Sequence, residues 1–275
     1  MISEKYIALF SHFIPCGVRE AIYILDGLME NKSDIQPEII HSDSHGQSEP
    51  VFGLAHLLGI KLMPRIKNWK HLTFYRPHKN TRYQHIDALF SDHIDWKLIA
   101  ENFDEMLKVA VSIKAGKLLP STVLRRLGSF NRQNRLYLAF RELGRVVRTE
   151  FLLNYVNDLD LRRVTLGAMN KSERFNQFAQ LAAFGGNLLE ENNRDEQRKL
   201  IKYNHLVANC LIFYNVCAMT RALHKMSKEG MQLNADTVSR LSPYLTGHLN
   251  RFGEYRFDVN RQQQPIDYRL PILGL

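Results

Sequence analysis

The chain has 275 residues, 45% of them hydrophobic, and 37 Lys and Arg stand against 28 Asp and Glu. This is enough apolar sequence for the core of one or two domains, and the net charge of +9 favours a polyanionic partner. No run of eighteen apolar residues is present and the N-terminus is too polar for a signal peptide, so we predict a cytoplasmic protein with no membrane partner.

The first part of the chain alternates between patterns typical of strands and of helices. Hydrophobic periodicity predicts strands at residues 6–13, 38–41 and 60–63, and helices at residues 19–31 and 50–58. Such alternation indicates an α/β fold.

From residue 85 to residue 164 the period changes to that of helices. Five apolar residues recur at helical spacing, namely Ile99, Phe103, Met106, Leu107 and Ala110, and Ser121 is placed to cap a further helix after Pro120. We therefore predict an α/β protein, mainly helical by content, with parts at 1–80, 81–168 and 169–275. Within the third part, an apolar stripe is predicted to be core: Leu206, Cys210, Phe213 and Cys217.

Asp43 follows the predicted strand 38–41, where open α/β sheets bind ligands beyond the carboxyl ends of their strands. Gly46 allows a tight turn beside it, and Ser48 and Pro50 are typical of the start of a helix. An Asp before a glycine is also common as a plain turn residue. Asp43 is thus a candidate functional residue on a loop between rigid elements.

A strongly basic segment follows at residues 61–82. Seven cations precede the next acid, Asp87: Lys61, Arg65, Lys67, Lys70, Arg76, Lys79 and Arg82. Trp69, Phe74, Tyr75 and Tyr83 are interleaved, and this mixture is expected where phosphates are neutralised and bases are stacked. We predict DNA contacts by Arg65, Lys67, Lys70, Arg76, Lys79 and Arg82; the alternative is a solvated face. A second basic series, on predicted helices, runs from Arg125 to Arg148.

Several motifs occur in an order that is far more specific than any one of them. Ser-Asp-x-x-Gly-x-x-Glu at residues 42–49 is followed by Phe-Gly-Leu-Ala-His-Leu-Leu-Gly-Ile at 52–60 and Met-Pro-Arg-Ile-Lys at 63–67. Residues 19–28, 241–244 and 248–255 carry further matches. Together they resemble the carboxyl-terminal catalytic region of the class II replicative (Tn-three family) transposases.

This resemblance implies a partial ribonuclease H-like core of the DDE type with a helical insertion. In the family an Asp, a second Asp and a Glu bind two divalent ions, and the second Asp corresponds to Asp43 and the Glu to Glu173, which follows Asn170-Lys171-Ser172. The two residues are 130 positions apart, which the insertion would explain. The first Asp, in a Ser-Ser-Asp-Gly motif, is expected upstream of Met1.

The implied chemistry is cleavage and transfer of DNA strands with two Mg²⁺ ions about 4 Å apart. The implied partners are the transposon ends and the target DNA, with another transposase chain as a further candidate. With only Asp43 and Glu173 present, the two-ion site is expected to be weak or incomplete. The alternative to a catalytic fragment is a non-catalytic module that binds DNA or joins transposase assemblies.

Overall fold

The computed structural model of the chain describes residues 1–9, 11, 20–31, 34, 36–128, 134–183, 193–250, 254, 256, 258–260, 262, 265–270 and 272–273. Its helices are α1 (Ile24–Met29), α2 (Glu49–Leu57), α3 (Trp96–Lys114), α4 (Pro120–Gly128), α5 (Arg135–Asn157), α6 (Leu159–Ala182), α7 (Arg194–Lys228) and α8 (Ala235–Ser239). Its strands are β1 (Ile39–Ser42), β2 (Lys61–Pro64), β3 (Phe74–Arg76), β4 (Phe90–His93), β5 (Leu233–Asn234) and β6 (Ile272–Leu273). The protein is mainly helical with a small α/β part, as predicted.

The chain forms two compact units, residues 12–170 and residues 1–11 with 171–275. Strands pair in parallel as β1 with β2, β3 with β4, and β5 with β6. Strands β1 and β2 are joined through α2, which gives the strand-helix-strand unit that the alternating pattern predicted. The pair β3–β4 was not predicted, because strands of only three and four residues are too short to show a clear alternation.

The unit of residues 12–170 is built on a close crossing of α2 and α5. A methyl group on Gly144 would overlap the carbonyl oxygen of Glu49, and one on Gly53 would overlap the carbonyl oxygen of Phe140. The two helix backbones therefore touch at a pair of glycines. Phe52 and Phe151 pack beside this contact with ring centroids 5.9 Å apart.

The unit of residues 1–11 and 171–275 has its own core between α6 and α7. Phe175 and Phe178 are buried against Ala208 and Ile212. Tyr244 packs on both phenylalanine rings. Its hydroxyl donates to the carbonyl oxygen of Tyr6 at 3.1 Å, which ties residues 1–11 to this core.

The predicted strand 6–13 is wrong in its described part. Tyr6 has φ of +67°, and Ala8 makes only an isolated antiparallel bridge to Ile2. Residues 10, 12 and 13 lie outside the described residues. The predicted cap at Ser121 is also wrong: Ser121 lies inside α4, and its hydroxyl donates to the buried carboxylate of Asp26.

The stripe predicted as core on α7 is largely exposed. Leu206 is 58% and Phe213 61% exposed, Cys210 is exposed, and only Cys217 is buried. The buried face instead carries Ala208, Ile212 and Asn215. The side-chain amide of Asn215 donates to the carbonyl oxygens of Pro243 and Leu245. The middle of α7 is apolar on more than one face, so periodicity alone selected the wrong one.

By length and composition alone, one described helix is able to cross a membrane. It is α7, with a mean hydropathy of 1.4 over eighteen residues, 28% of that window being buried. This is weak evidence, because core helices of soluble proteins pass the same test. Its polar residues are used in packing: Asn209 bonds both the N–H and the carbonyl oxygen of Ala8.

Candidate metal site and DNA surface

Asp43 is the first residue after β1 and is exposed. In the register of the parallel pair Ser42 lies opposite Pro64, so Asp43 and Arg65 both follow the carboxyl ends of neighbouring strands. The N–H of Arg65 donates to the carbonyl oxygen of Ser42 at 2.8 Å, which joins the two strand ends. An acid and a base are thus placed at one edge, where open α/β sheets bind ligands.

The loop after Asp43 is tightly wound. Gly46 N–H donates to the carbonyl oxygen of Asp43 at 3.1 Å, and any side chain on Gly46 would overlap the side chain of Ser42. Helix α2 then begins at Glu49, with Ser48 at the N-cap and Pro50 in the first turn, as predicted. The Ser48 hydroxyl makes no capping hydrogen bond, however.

Glu49 holds the start of α2 to α5 and β3. Its carboxylate accepts a hydrogen bond of 2.7 Å from the hydroxyl of Tyr75 and one of 3.3 Å from Nε of Arg145. Arg145 also donates to Glu142 at 2.7 Å, and its guanidinium lies 4.5 Å from the Tyr75 ring centre. Arg148 lies 3.9 Å from the Glu49 carboxylate. These five residues, which we call the Glu49 network, are largely buried.

Burial, with the bond to Glu49, raises the pKa of Tyr75 to about 12. Tyr75 therefore remains a hydroxyl donor to Glu49 at neutral pH. Burial also raises the pKa of Glu142, with Arg145 acting in the opposite direction. The two acids of the motif Ser-Asp-x-x-Gly-x-x-Glu thus differ: Asp43 is exposed, whereas Glu49 is bonded within the protein. The sequence alone does not reveal this difference.

We expect Glu49→Ala to lower the free energy of unfolding by about 2–4 kcal/mol, because it removes the carboxylate beside the largely buried Arg148 and leaves Arg145 with Glu142 as its close partner. Urea unfolding followed by circular dichroism measures this. The double variant Glu49→Ala with Arg145→Met should cost less than the sum of the single variants, because the unpaired charge is also removed. If the unfolding free energies lost in the two single variants simply add up in the double variant, Glu49 and Arg145 do not interact as described.

Glu173 is exposed and lies in the middle of α6. The sequence Asn170-Lys171-Ser172 looks like a cap, but the helix continues through it. Lys171 donates from Nζ to the carbonyl oxygen of Glu4 at 3.0 Å and lies 4.6 Å from the Tyr6 ring centre. Phe175 and Phe178 are buried, which leaves Glu173 on the exposed side of the helix.

Asp43 and Glu173 belong to different compact units, so their convergence on one metal site stays a prediction. Exposed carboxylates are ligands of the kind that Mg²⁺ binds. Among the described residues, no group of three or more His, Cys, Asp or Glu is arranged to hold a metal ion. The two acids thus suit Mg²⁺ in chemical type, whereas a two-ion site needs more ligands than they supply.

Within the basic segment, Lys67, Lys70, Lys79 and Arg82 are exposed and Arg65 is half-buried. Arg76 differs: only 14% of its side chain is exposed, and it pairs with Asp87 at 3.0 Å. It also donates to the carbonyl oxygen of Phe90 at 2.6 Å. These bonds join β3 to the segment around β4, so we assign Arg76 a structural role and leave it out of the DNA surface.

The aromatic residues of this segment are mostly core. Phe74 and Tyr75 are buried in β3, and Tyr83 stacks on Phe90 with ring centroids 4.6 Å apart. Trp69 is 45% exposed and packs on Tyr155. The interleaving that suggested base stacking therefore arises mainly from strand packing.

Arginines of the second basic series differ in burial: Arg135 is exposed, whereas Arg145 and Arg148 are largely buried. Arg135 is bonded to Glu101, and Arg145 and Arg148 belong to the Glu49 network. Arg125 and Arg126 are exposed on α4, and Arg132 lies outside the described residues.

A carboxylate and an arginine beyond the ends of neighbouring parallel strands form an arrangement that suits metal-dependent enzymes that act on nucleic acid. The chain belongs to the family described as Tn3 transposase DDE domain, which it matches over residues 1–255.

Curated relatives agree with this assignment. The chain is 33% identical to the transposase for transposon Tn1546 of Enterococcus faecium, with 94% of this chain and 26% of that protein covered. It is 33% identical to the transposase for transposon Tn501 of Pseudomonas aeruginosa (98% and 27% covered) and 32% identical to that for transposon gamma-delta of Escherichia coli (94% and 26% covered). The chain thus spans about a quarter of these relatives' length. No solved structure gives a significant match.

Proposed function

We propose that the chain is a catalytic-region portion of a transposase, which binds transposon DNA and contributes to metal-dependent strand cleavage and transfer. The observation that carries this proposal is the position of Asp43 at the end of β1, next to the backbone of Arg65 at the end of β2. Asp43 and Glu173 serve as metal ligands in this proposal, and Arg65 binds the phosphate that is cleaved.

The parallel unit β1-α2-β2 is, in this proposal, part of a ribonuclease H-like core that further strands would complete. The mainly helical stretch from about residue 82 to 170 is the insertion that separates the second Asp from the Glu. The close fit of α2 on α5 supports this, since α5 belongs to the insertion and braces the helix that follows the Asp43 loop.

Magnesium is the metal we propose, because hard oxygen ligands suit it. When bound, two such ions activate a hydroxyl nucleophile and stabilise the leaving oxygen. The residues of this chain would then do two things: Asp43 and Glu173 hold the ions, and the Glu49 network keeps the start of α2 fixed behind the Asp43 loop. The cytoplasm is the compartment we propose.

DNA is bound through Lys67, Lys70, Lys79 and Arg82, which we call the basic surface. Lys67, Lys70 and Lys79 are exposed and make no ion pair within the part of the chain that the structure describes. Backbone carbonyls of Lys79 and Thr81 hold the guanidinium of Arg82 in place. Phosphate contacts of this kind are independent of sequence and depend steeply on salt.

We expect Lys67→Glu with Lys70→Glu to weaken DNA binding about tenfold or more at moderate salt, for duplexes of any sequence. The slope of log K against log salt should fall by about 0.9 for each phosphate that is no longer neutralised. Fluorescence anisotropy measures both quantities. Lys97→Glu with Lys108→Glu is the matched control, because these lysines on α3 are already paired with Glu101 and Glu105. Equal weakening by the two double variants would mean that DNA binding depends on the net charge of the protein and not on the basic surface.

The second candidate function is a non-catalytic module that occupies DNA or joins a transposase assembly. It is supported by the exposed Lys67, Lys70 and Lys79, because phosphate contacts by such cations need no metal ion. Mixing the chain with an active transposase of the family distinguishes the two. A module should enter the DNA complex and lower its cleavage rate, whereas a catalytic portion should complement a partner that lacks its own Glu.

A further inference from the structure

A basic cleft lies at the carboxyl-terminal end of α7, within the unit of residues 1–11 and 171–275. It has a volume of about 340 Å³ and is lined by Arg221, His224, Lys225, Lys228 and the segment 265–267. The helical residues are spaced at i, i+3, i+4 and i+7, which places all of them on one face. Nε2 of His224 donates to the carbonyl oxygen of Asp267 at 2.8 Å and ties the segment to the helix.

Cations outnumber acids in this cleft. Lys225 lies 3.8 Å from Glu229, whereas Arg221 and Lys228 make no ion pair within the described residues. Asp267 is bonded through its side chain to Nε and N–H of Arg269, and this bond lowers the pKa of Asp267. Among the described residues that line the cleft, Arg221, Lys225 and Lys228 thus stand against one carboxylate, that of Asp267.

The helix dipole explains part of this arrangement. Cations in the last turn of a helix are favoured by its negative end, and Lys225 and Lys228 satisfy that rule. The rule does not account for Arg221, nearly two turns before the end, or for the chain segment that encloses the row. The row of cations and the segment 265–267 beside it form a concave surface, which suits an anion with several charges.

The spacing of the row matches a repeating anion. Arg221 and Lys228 are seven residues apart, which is roughly 10 Å along the helix axis. Phosphates on one strand of duplex DNA follow each other at about 3.4 Å along its axis. Because each strand also winds around that axis, neighbouring phosphates lie farther apart in space than this rise, so the row can reach two of them.

We propose that the face of α7 formed by Arg221, His224, Lys225 and Lys228 binds the phosphodiester backbone of DNA, as a second site separate in sequence from the basic surface. This inference rests on the proposed function, because it takes DNA to be the partner. Arg221 provides a planar donor pair for one phosphate and Lys228 a point charge for another. The contacts are independent of base sequence.

The first test is Arg221→Gln with Lys228→Gln in the full chain, titrated with a fluorescent random-sequence duplex. Binding should weaken about fivefold to tenfold, and the salt slope should fall by about 0.9 for each phosphate left without its cation. The matched control is Arg198→Gln with Lys199→Gln, which removes equal charge from the same helix where both cations are already paired with Asp195 and Glu196. Equal weakening in both pairs would overturn the proposal.

The second test is a gain of binding, which a damaged fold does not produce. Asp267→Asn removes one acid from the cleft and releases Arg269, while the carbonyl oxygen bonded by His224 is retained. Affinity for the duplex should rise about threefold with a steeper salt slope. Unchanged or weaker binding would overturn the proposal. Polyglutamate is the competitor, added at the same total charge as the duplex. If it displaces the DNA bound at α7, the proposal would be overturned and an acidic protein would be the better partner.

The two sites are distinguishable in one series of titrations. Weakening by Lys67→Glu with Lys70→Glu but not by the α7 variants would overturn the inference and leave the proposed function intact. Weakening by the α7 variants alone would support the inference and remove the basic surface from the proposed function.

Discussion

The 275-residue chain alone is expected to leave a labelled transposon-end duplex uncut in the presence of Mg²⁺ or Mn²⁺. The physical reason is the number of proposed ligands: Asp43 and Glu173 would supply two carboxylates, whereas a two-ion site would need more. The readout is the release of free 3′-hydroxyl ends on a denaturing gel. This prediction does not depend on poor folding, since a well-folded site would still be short of a carboxylate.

Cleavage should be restored when a segment with the family's Ser-Ser-Asp-Gly motif is fused ahead of Met1. In that fusion Asp43→Ala and Glu173→Ala should each return cleavage to background. Glu150→Ala, which removes an exposed helical carboxylate outside the motifs, should keep it. Metal-dependent nicking by the unextended chain that disappears in Asp43→Ala would show that the ligand set has been assigned incorrectly.

Gly144→Ala should lower the free energy of unfolding by about 3 kcal/mol or more. The added methyl group would overlap the carbonyl oxygen of Glu49, and backbone cannot move aside as a flexible side chain does. Urea unfolding followed by circular dichroism provides the measurement.

Gly167→Ala is the control for this substitution. Gly167 lies in α6 with nothing within 4 Å of an added methyl group, so alanine there should be neutral or stabilise by up to about 1 kcal/mol through helix propensity. Similar costs at Gly144 and Gly167 would mean that α2 and α5 do not touch as described.

The sequence predicted the elements around Asp43 well because each is short, strongly patterned and bounded by turn residues. The observed β1, α2 and β2 each differ from the predicted bounds by one residue. The position of Asp43 could therefore be predicted without a structure. The sequence also predicts Arg65 as a DNA contact because of its charge. Its position beside Ser42, however, depends on strand pairing, which periodicity does not specify.

The errors have equally local causes. A cap-like sequence before Glu173 lies inside a long helix, because packing of Phe175 and Phe178 favours continued helix over a polar local signal. The two arginines of the Glu49 network look like any solvated helical cations until α2 is placed against them. Pairings between residues about a hundred positions apart leave no trace in local sequence.

The parallel pair β1–β2 makes the edge that carries Asp43 and Arg65 sensitive to chain length as well as to residue identity. A shift of one residue between the two strands turns the side chains of the shifted strand to the opposite face. One residue inserted inside β2, between Lys61 and Arg65, would therefore separate the acid from the base even though every functional side chain remained in the sequence.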